Sequence, residues 1–299
     1  MKMIINVIML STEKTKGVSD VSNLSTEHIA VAYNDHTIIE DMNIDVPDGM
    51  VTSIIGPNGC GKSTLLKAMS RIMKPTKGAV YLNGRSIHEM KTKEVAKEMA
   101  ILAQSPDIPQ TLTVTQLVSF GRYPHRRGTG RMTTHDKEAV EQAIIDTGME
   151  EFKDRSLDAL SGGQRQRAWI AMALAQETEV MLLDEPTTYL DMAHQLEILE
   201  LLQELNKKEN RTIVMVLHDL NHAARFSDHL IAMKAGEAQD IGHPSEVISK
   251  PVLRRVFGID AHVVPDPRTG KPLCMTYDLV DRHLESVPDT EIDAKIARV

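Results

Sequence analysis

The sequence predicts an α/β protein with a core of mainly parallel strands, an antiparallel β subdomain on the N-terminal side and an inserted α-helical subdomain. Continuous apolar runs, typical of strands covered on both faces of a parallel sheet, occupy residues 51–55, 180–183 and 212–217. Weaker alternating runs, typical of a sheet with one exposed face, occupy residues 28–33, 42–46 and 79–82. A third observation is a helix-rich stretch between the first two apolar runs, at about 106–158.

The individual elements carry local signals that support this assignment. The alternating segment 42–46 ends at residues 47–49, Pro-Asp-Gly. Proline sets φ there and glycine accepts positive φ, so a tight turn is expected to close the strand. The clearest helical pattern of the insert covers residues 134–147, with apolar side chains on one face and Gly148 as the stop signal.

One domain is expected over residues 27–260, with a loose extension over 1–26 before it and a C-terminal extension over 261–299 after it. The net charge is −8 and no block is rich in lysine and arginine, so no nucleic-acid partner is expected. The chain has two cysteines, and a disulfide at Cys60 would obstruct a glycine-rich loop, which favours a reducing cytosol. No apolar run reaches the length of a membrane span.

A glycine-rich loop follows the first apolar strand and opens a helix. It fits the pattern G-x-x-x-x-G-K-[ST] and consists of Gly56, Pro57, Asn58, Gly59, Cys60, Gly61, Lys62, Ser63 and Thr64. Backbone N–H groups of such a loop face phosphates, and the helix N-terminus adds about half a positive charge. We therefore expect ATP at this loop, with Lys62 bridging the β- and γ-phosphates and Ser63 binding Mg²⁺.

Polar residues end the other two apolar strands, where open α/β sheets bind their ligands. Asp184 and Glu185 end the second strand. Asp184 is suited to holding Mg²⁺ through water, and Glu185 to acting as general base for the attacking water. His218 ends the third strand and could hydrogen-bond the γ-phosphate. Alternatively, His218 and His222 could form a metal pair, although no third ligand at a recognisable spacing supports this.

Two further residues carry weaker signals. Gln104 follows the apolar run 100–103 and enters the helical insert, so it could contact Mg²⁺ or the attacking water and also the moving part of the protein. Tyr33 precedes the glycine-rich loop, where its ring could stack on adenine. Taken alone, both residues also fit ordinary roles, as a solvated glutamine and a half-buried strand tyrosine.

A second glycine pair lies at the start of the apolar helical segment 168–175. The motif consists of Ser161, Gly162, Gly163 and Gln164. Ser161 is a favoured helix N-cap, but capping does not explain two glycines where better helix formers would fit. Exposed N–H groups at a helix start bind anions, so we interpret the motif as a cap and a second phosphate-facing surface. Such a surface is useful if two copies of the chain close over shared nucleotide.

Together, these motifs resemble those of the nucleotide-binding subunits of ABC transporters, over about residues 27–260. Residues 56–63 match the Walker A loop, Gln104 matches the Q-loop and residues 160–164 match the signature. Residues 180–185 match Walker B, residues 189–191 match the D-loop and His218 matches the switch histidine. The resemblance implies an ATP hydrolase that forms a head-to-tail dimer, with one protomer's loop facing the partner's Ser161. It also implies a nucleotide-site role for Asp191 of the D-loop.

A looser similarity concerns the transported cargo. Residues 118–126, 256–258 and 266–272 resemble the corresponding segments in importers of iron–siderophore complexes, haem and vitamin B12. This similarity implies a subunit bound to a separate permease at the cytoplasmic face of the membrane, with an extracytoplasmic binding protein delivering the cargo. The insert between Gln104 and Ser161 is the expected docking surface. Alternatives are another import cargo, an exporter, a soluble ABC-type ATPase of DNA repair or translation, or an assembly module with little turnover.

Overall fold

The computed structural model describes residues 23–33, 36–104, 111–126 and 130–280. In chain order, the strands of these ranges are β1 (Leu24–Tyr33), β2 (His36–Val46), β3 (Val51–Ile55), β4 (Lys77–Leu82), β5 (Arg85–Ser86), β6 (Met99–Leu102), β7 (Val180–Leu183), β8 (Thr212–Val216), β9 (His229–Lys234), β10 (Glu237–Gly242), β11 (Ile259–Pro265) and β12 (Pro272–Leu279).

The α-helices surround these strands. In chain order they are α1 (Lys62–Met69), α2 (Thr92–Glu98), α3 (Val114–Ser119), α4 (Thr134–Asp146), α5 (Gly162–Leu174), α6 (Met192–Glu209), α7 (Leu220–Phe226), α8 (Pro244–Val247) and α9 (Lys250–Phe257). Short 3-10 helices at Phe120–His125, Glu150–Phe152 and Leu157–Ala159 join the helices of the insert.

The central sheet has the strand order β10-β9-β3-β8-β7-β6. Neighbouring strands from β9 through β3, β8 and β7 to β6 pair in parallel, and β10 adds an antiparallel edge strand beside β9. Every residue of β3, β7 and β8 is buried, because helices and the second sheet cover both faces. The predicted parallel core is therefore confirmed, and the carboxyl ends of β6, β7 and β8 meet at one edge.

The antiparallel N-terminal sheet is also confirmed, with the order β2-β1-β4-β5. Its apolar face packs on α1 and on the central sheet, so that Leu65 of α1 lies in one core with Ile39 and Ile54. Strand β1 already begins at Leu24, so the predicted boundary after residue 26 falls inside a strand. Residues 1–22 of the predicted extension lie outside the described residues.

The helical insert packs on the other face of the central sheet. The predicted helix 134–147 corresponds to α4, which begins after a capping box between Thr133 and Asp136 and buries Ile144 in the main core. Helices α3 and α5 join the same core. The predicted start of the insert, near residue 106, lies outside the described residues.

The C-terminal segment forms a hairpin that the sequence patterns did not predict. Strands β11 and β12 pair antiparallel, and the hairpin packs against α9 and α7. The predicted boundary after residue 260 therefore falls inside β11, while residues 281–299 lie outside the described residues. None of the helices in the described ranges is long and apolar enough to cross a membrane.

Candidate functional site

A cavity of about 460 Å³ lies between the glycine-rich loop and the carboxyl ends of β7 and β8. Its lining consists of Ile38, Asn58, Gly59, Gly61, Lys62, Ser63, Thr64, Glu185 and His218. The structure thus brings together residues from three separate parts of the chain that the sequence motifs had singled out. Ile38 was missed, because a lone isoleucine in an alternating strand gives no sign of contact with a ligand.

The loop itself has the geometry of an anion cradle. Gly61 has φ 105° and is the N-cap of α1, a conformation in which any side chain would be strained. The first N–H groups of α1 lack helical partners, as at every helix start, and are available to an anion. Lys62 is buried, and its Nζ donates to the carbonyls of Gly56 at 2.9 Å and Pro57 at 3.0 Å. Its ammonium group therefore lies within the loop.

Two oxygen ligands of the kind that Mg²⁺ prefers meet at the foot of the loop. Ser63 Oγ donates to Asp184 Oδ1 at 2.9 Å. The backbone of Asp184 is fixed as well, because its N–H donates to the carbonyl of Leu102 at the end of β6. Burial raises the pKa of Asp184, and a cation at this position would offset the desolvation of the carboxylate. The donor set therefore fits a magnesium ion.

Glu185 is held by side chains from three elements. Its Oε2 accepts from Gln104 Nε2 at 2.7 Å and from Thr188 Oγ1 at 2.9 Å, while its Oε1 lies 2.6 Å from His218 Nε2. Its backbone has φ 53°, an uncommon conformation for a residue with a long side chain. Thr188 was not found from the sequence, although its place three residues after Glu185, in the turn that leaves β7, is the one available signal.

The second glycine motif opens α5, as predicted. Ser161 Oγ accepts from the Gln164 N–H, and the Gln164 side chain accepts from the Ser161 N–H. The two glycines have different explanations. A Cβ on Gly163 would lie 2.4 Å from the ring of His194, so packing requires glycine there, whereas a Cβ on Gly162 would make only ordinary contact, at 3.4 Å. Packing within the chain does not explain Gly162.

Several predicted site residues do not line the loop cavity. Tyr33 ends β1 with 45% of its surface exposed, and Ile38 of the next strand lines the cavity instead. Ser161 to Gln164 also lie outside this lining, as does Asp191. Asp191 caps α6 by accepting from the backbone N–H of His194.

Two other candidates have structural surroundings. Cys60 is a free thiol of the loop whose side chain is buried, and this burial raises its pKa. The alternative metal pair gains no support, because His222 packs edge-on against Phe226. In addition, the described residues contain no group of three or more His, Cys, Asp or Glu side chains that could hold a metal ion.

Comparison with known proteins gives a consistent result. A family model described as ABC transporter matches residues 39–188. The iron(3+)-hydroxamate import ATP-binding protein FhuC of Bacillus subtilis is 58% identical over 267 residues, which cover 89% of this chain and 99% of that protein. The ferric enterobactin transport ATP-binding protein FepC of Escherichia coli is 48% identical over 253 residues, which cover 85% and 93%.

The solved structures agree with these relatives. The dimeric ATP-binding cassette MJ0796, in a post-hydrolysis state with ADP and Pi, superposes with a TM-score of 0.65 at 28% identity, covering 74% of this chain and 98% of that one. The similarity to FhuC extends over nearly the whole of that protein, and the family model covers the loop, Gln104, the second glycine motif and Glu185. The chain therefore belongs to the ABC transporter family and is an ATP-binding ATPase subunit of an importer.

Proposed function

We propose that this ATPase subunit drives the uptake of an iron–siderophore complex through a separate membrane permease. The observation that carries the cargo assignment is the 58% identity with the iron(3+)-hydroxamate import protein over almost its full length. The relative described as a ferric enterobactin transport protein supports an iron-complex cargo as well. The cargo is delivered by an extracytoplasmic binding protein and does not touch this chain, which sits peripherally at the cytoplasmic face.

The polar residues in and around the loop cavity have distinct places in the proposed reaction. The loop N–H groups and Lys62 bind the phosphates of ATP. Ser63 and Asp184 would hold Mg²⁺, which would neutralise phosphate charge. Gln104, whose amide nitrogen donates to Glu185, would contact the metal or the attacking water. Glu185 accepts the proton of that water.

The contacts around Glu185 prepare it for this step. Gln104 and Thr188 fix one carboxylate oxygen, and His218 approaches the other. His218 also lines the cavity, so it can donate to the γ-phosphate. Together, these contacts fix the orientation of the Glu185 carboxylate.

The site is completed by a second ATPase subunit. The second glycine motif and Asp191 lie outside the loop cavity of their own chain, and Gly162 is not explained by packing. A solved cassette of the same fold is a dimer with bound ADP and Pi. We therefore place the partner's Ser161 and Gly162 over the γ-phosphate bound by the first subunit, with Tyr33 beside the adenine.

Glu185→Gln tests the role of this carboxylate. We expect ATP binding to be retained and a closed dimer to accumulate, while phosphate release falls by about 10²–10⁴-fold, the usual contribution of a general base. Phosphate release and light scattering measure the two effects, with Glu138→Gln at an exposed position of α4 as the matched control. Unchanged turnover would refute Glu185 as the base. An ATP-loaded Glu185→Gln protein that stays monomeric beside its permease would refute the shared site.

The permease is proposed to dock in a groove between the insert and the central sheet. The groove is lined by Ile72 after α1, Ile101 of β6, and Phe120 and Tyr123 of the 3-10 helix. Tyr123 is 74% exposed and Ile72 56% exposed, which leaves an apolar surface for a partner. Gln104 is the third residue after Ile101, and its side chain donates to Glu185. A permease segment in this groove can therefore act on Glu185 through Gln104.

Tyr123→Ser is expected to weaken copurification with the permease about tenfold while ATP binding is unchanged, because a large exposed aromatic ring is a frequent centre of binding energy. Tyr277→Ser on β12, which removes a ring that is 64% exposed, is the matched control.

Reconstituted vesicles test the cargo. A binding protein loaded with a ferric hydroxamate should stimulate ATP turnover, whereas haem or vitamin B12 should not. Equal stimulation by all three would contradict the cargo assignment.

A further inference from the structure

The C-terminal hairpin holds helix α7 at both ends. Near the start of the helix, Asn221 Nδ2 donates to the Cys274 carbonyl at 3.1 Å, and the Cys274 N–H donates to Asn221 Oδ1 at 2.8 Å. At the other end, Lys271 Nζ donates to the carbonyl of Ser227, the C-cap residue of α7, at 2.7 Å. The hairpin therefore contacts both ends of one short helix.

Helix α7 is held in place by the packing of Ala223, Ala224 and Phe226 in the main core as well as by these contacts. It has seven residues, and helices this short are not stable by themselves in water. Its N-cap is Asp219, the residue directly after His218, and Asp219 Oδ1 accepts from the His222 N–H. Consequently, the placement of the first turn of α7 also sets the backbone that carries the His218 side chain.

The contacts are suited to fixing orientation as well as distance. Asn221 satisfies both backbone groups of Cys274, so two parallel hydrogen bonds define the angle between α7 and β12. Cys274 is buried, and burial lowers the pKa of Lys271, so the contacts are partly shielded from water. Hydrogen bonds in such surroundings are stronger than exposed ones.

We propose that Asn221 is a positioning residue for ATP hydrolysis. It acts by tying α7 to the hairpin formed by β11 and β12. By holding α7, Asn221 and Lys271 keep His218 within reach of Glu185 and the γ-phosphate. This inference rests on the proposed function, because it uses the role assigned there to His218. A purely structural role would anchor the hairpin without affecting the chemical step.

The test compares Asn221→Ala and Lys271→Met in the complex with the permease. We expect kcat for ATP to fall about tenfold in Asn221→Ala and less in Lys271→Met, with KM changed by less than about twofold, because a displaced His218 affects the reaction more than binding. Lys271→Arg keeps the cation and the donor and should retain kcat. Thr276→Ala, at an exposed position of β12, is the matched control.

Two further measurements connect the effect to His218. In a His218→Ala background, Asn221→Ala should cause no additional loss of kcat, because the residue it positions is gone. The histidine Cε1–H NMR resonance that is lost in His218→Ala should shift in Asn221→Ala and stay in place in Thr276→Ala. Thermal unfolding identifies variants that fail to fold, and Lys271→Met carries the test if Asn221→Ala does not fold.

The outcomes separate this inference from the proposed function. If Asn221→Ala and Lys271→Met keep normal kcat while His218→Ala loses activity, the positioning role is overturned and the proposed function stands. An equal loss of kcat in both His218 backgrounds would also overturn it, since Asn221 would then act by another route. Normal hydrolysis by His218→Ala would instead overturn the role of His218 itself, and the positioning role with it.

Discussion

Two clusters of charged side chains in this protein use similar groups in opposite ways. At the edge of the central sheet, the Glu185 side chain is 13% exposed and the His218 side chain 44% exposed, so one side of the pair is open to the cavity. In the insert, Arg122 is 1% exposed and binds Asp136 at 2.9 Å. The comparison separates a sealed cluster, meaning Arg122 with Asp136, which links parts of the fold, from an open cluster, which faces the cavity.

The sealed cluster joins three parts of the fold. Arg122 belongs to the 3-10 helix after α3, and Asp136 belongs to the first turn of α4. The same guanidinium donates to the Ala175 carbonyl at 2.7 Å and, at the surface, to Glu177 at 2.5 Å, whose side chain is 41% exposed. Both acceptors lie in the connection between α5 and β7. This set of partners satisfies the buried cation, so its burial is tolerated.

Breaking the sealed cluster should have the largest effect on stability. Arg122→Met leaves Asp136 as a buried charge without its cation, and we expect a loss of about 3–5 kcal/mol of unfolding free energy. Urea unfolding measures this loss. ATP affinity of the folded fraction should be unchanged, which sharpens the contrast with the sheet edge. Lys153→Met removes an exposed pair with Glu141 and should change the stability far less, because water screens exposed ion pairs. Equal losses in both variants would contradict the comparison.

The sealed cluster should also respond to acid in a defined range. Burial alone would raise the pKa of Asp136, but hydrogen bonds from Thr133 and the Arg122 guanidinium outweigh it and lower the pKa to about 2. The folded-state pKa lies below the unfolded value, so this stabilisation is fully present above about pH 4 and is lost as the pH falls towards 2. The expected size is about 2 kcal/mol.

Urea unfolding between pH 5 and pH 2.5 measures this contribution. Asp136→Asn should lose stability at pH 5 and show a flatter dependence on pH below 4 than the unchanged protein. An identical slope in both proteins would show that other carboxylates account for the acid sensitivity.

The smallest of these effects is expected at the open cluster. Thr188→Ala removes one hydrogen bond to Glu185, and kcat should fall about three- to tenfold, which corresponds to a loss of roughly 1 kcal/mol. Global stability should change little. Thr187→Ala, at the neighbouring position, is the control for the turn. If Thr188→Ala lowers stability and leaves kcat intact, its hydrogen bond has a structural role, like the contacts of the sealed cluster, and does not support catalysis.

The contrast extends to what could be foreseen from the sequence. Glu185 and His218 follow apolar strands, and parallel strands bring their carboxyl ends to one edge, so local patterns were enough to predict where these two residues lie. Gln104 gave only a weak signal of its own. Arg122 gave no such signal, because its partners lie 14 to 55 residues away and become neighbours only when the insert folds. For the same reason, the contact between Gly163 and His194 was missed.

By itself, the sequence determined the class of fold, the phosphate loop and the polar ends of the strands, because each depends on periodicity or spacing within a short stretch of chain. Tertiary structure alone decided which groups are sealed and which stay open. It also placed Ile38 in the cavity and set Asn221 against Cys274, 53 residues further along the chain. Burial and pairing of this kind depend on contacts between distant segments, which leave no periodic mark on the sequence.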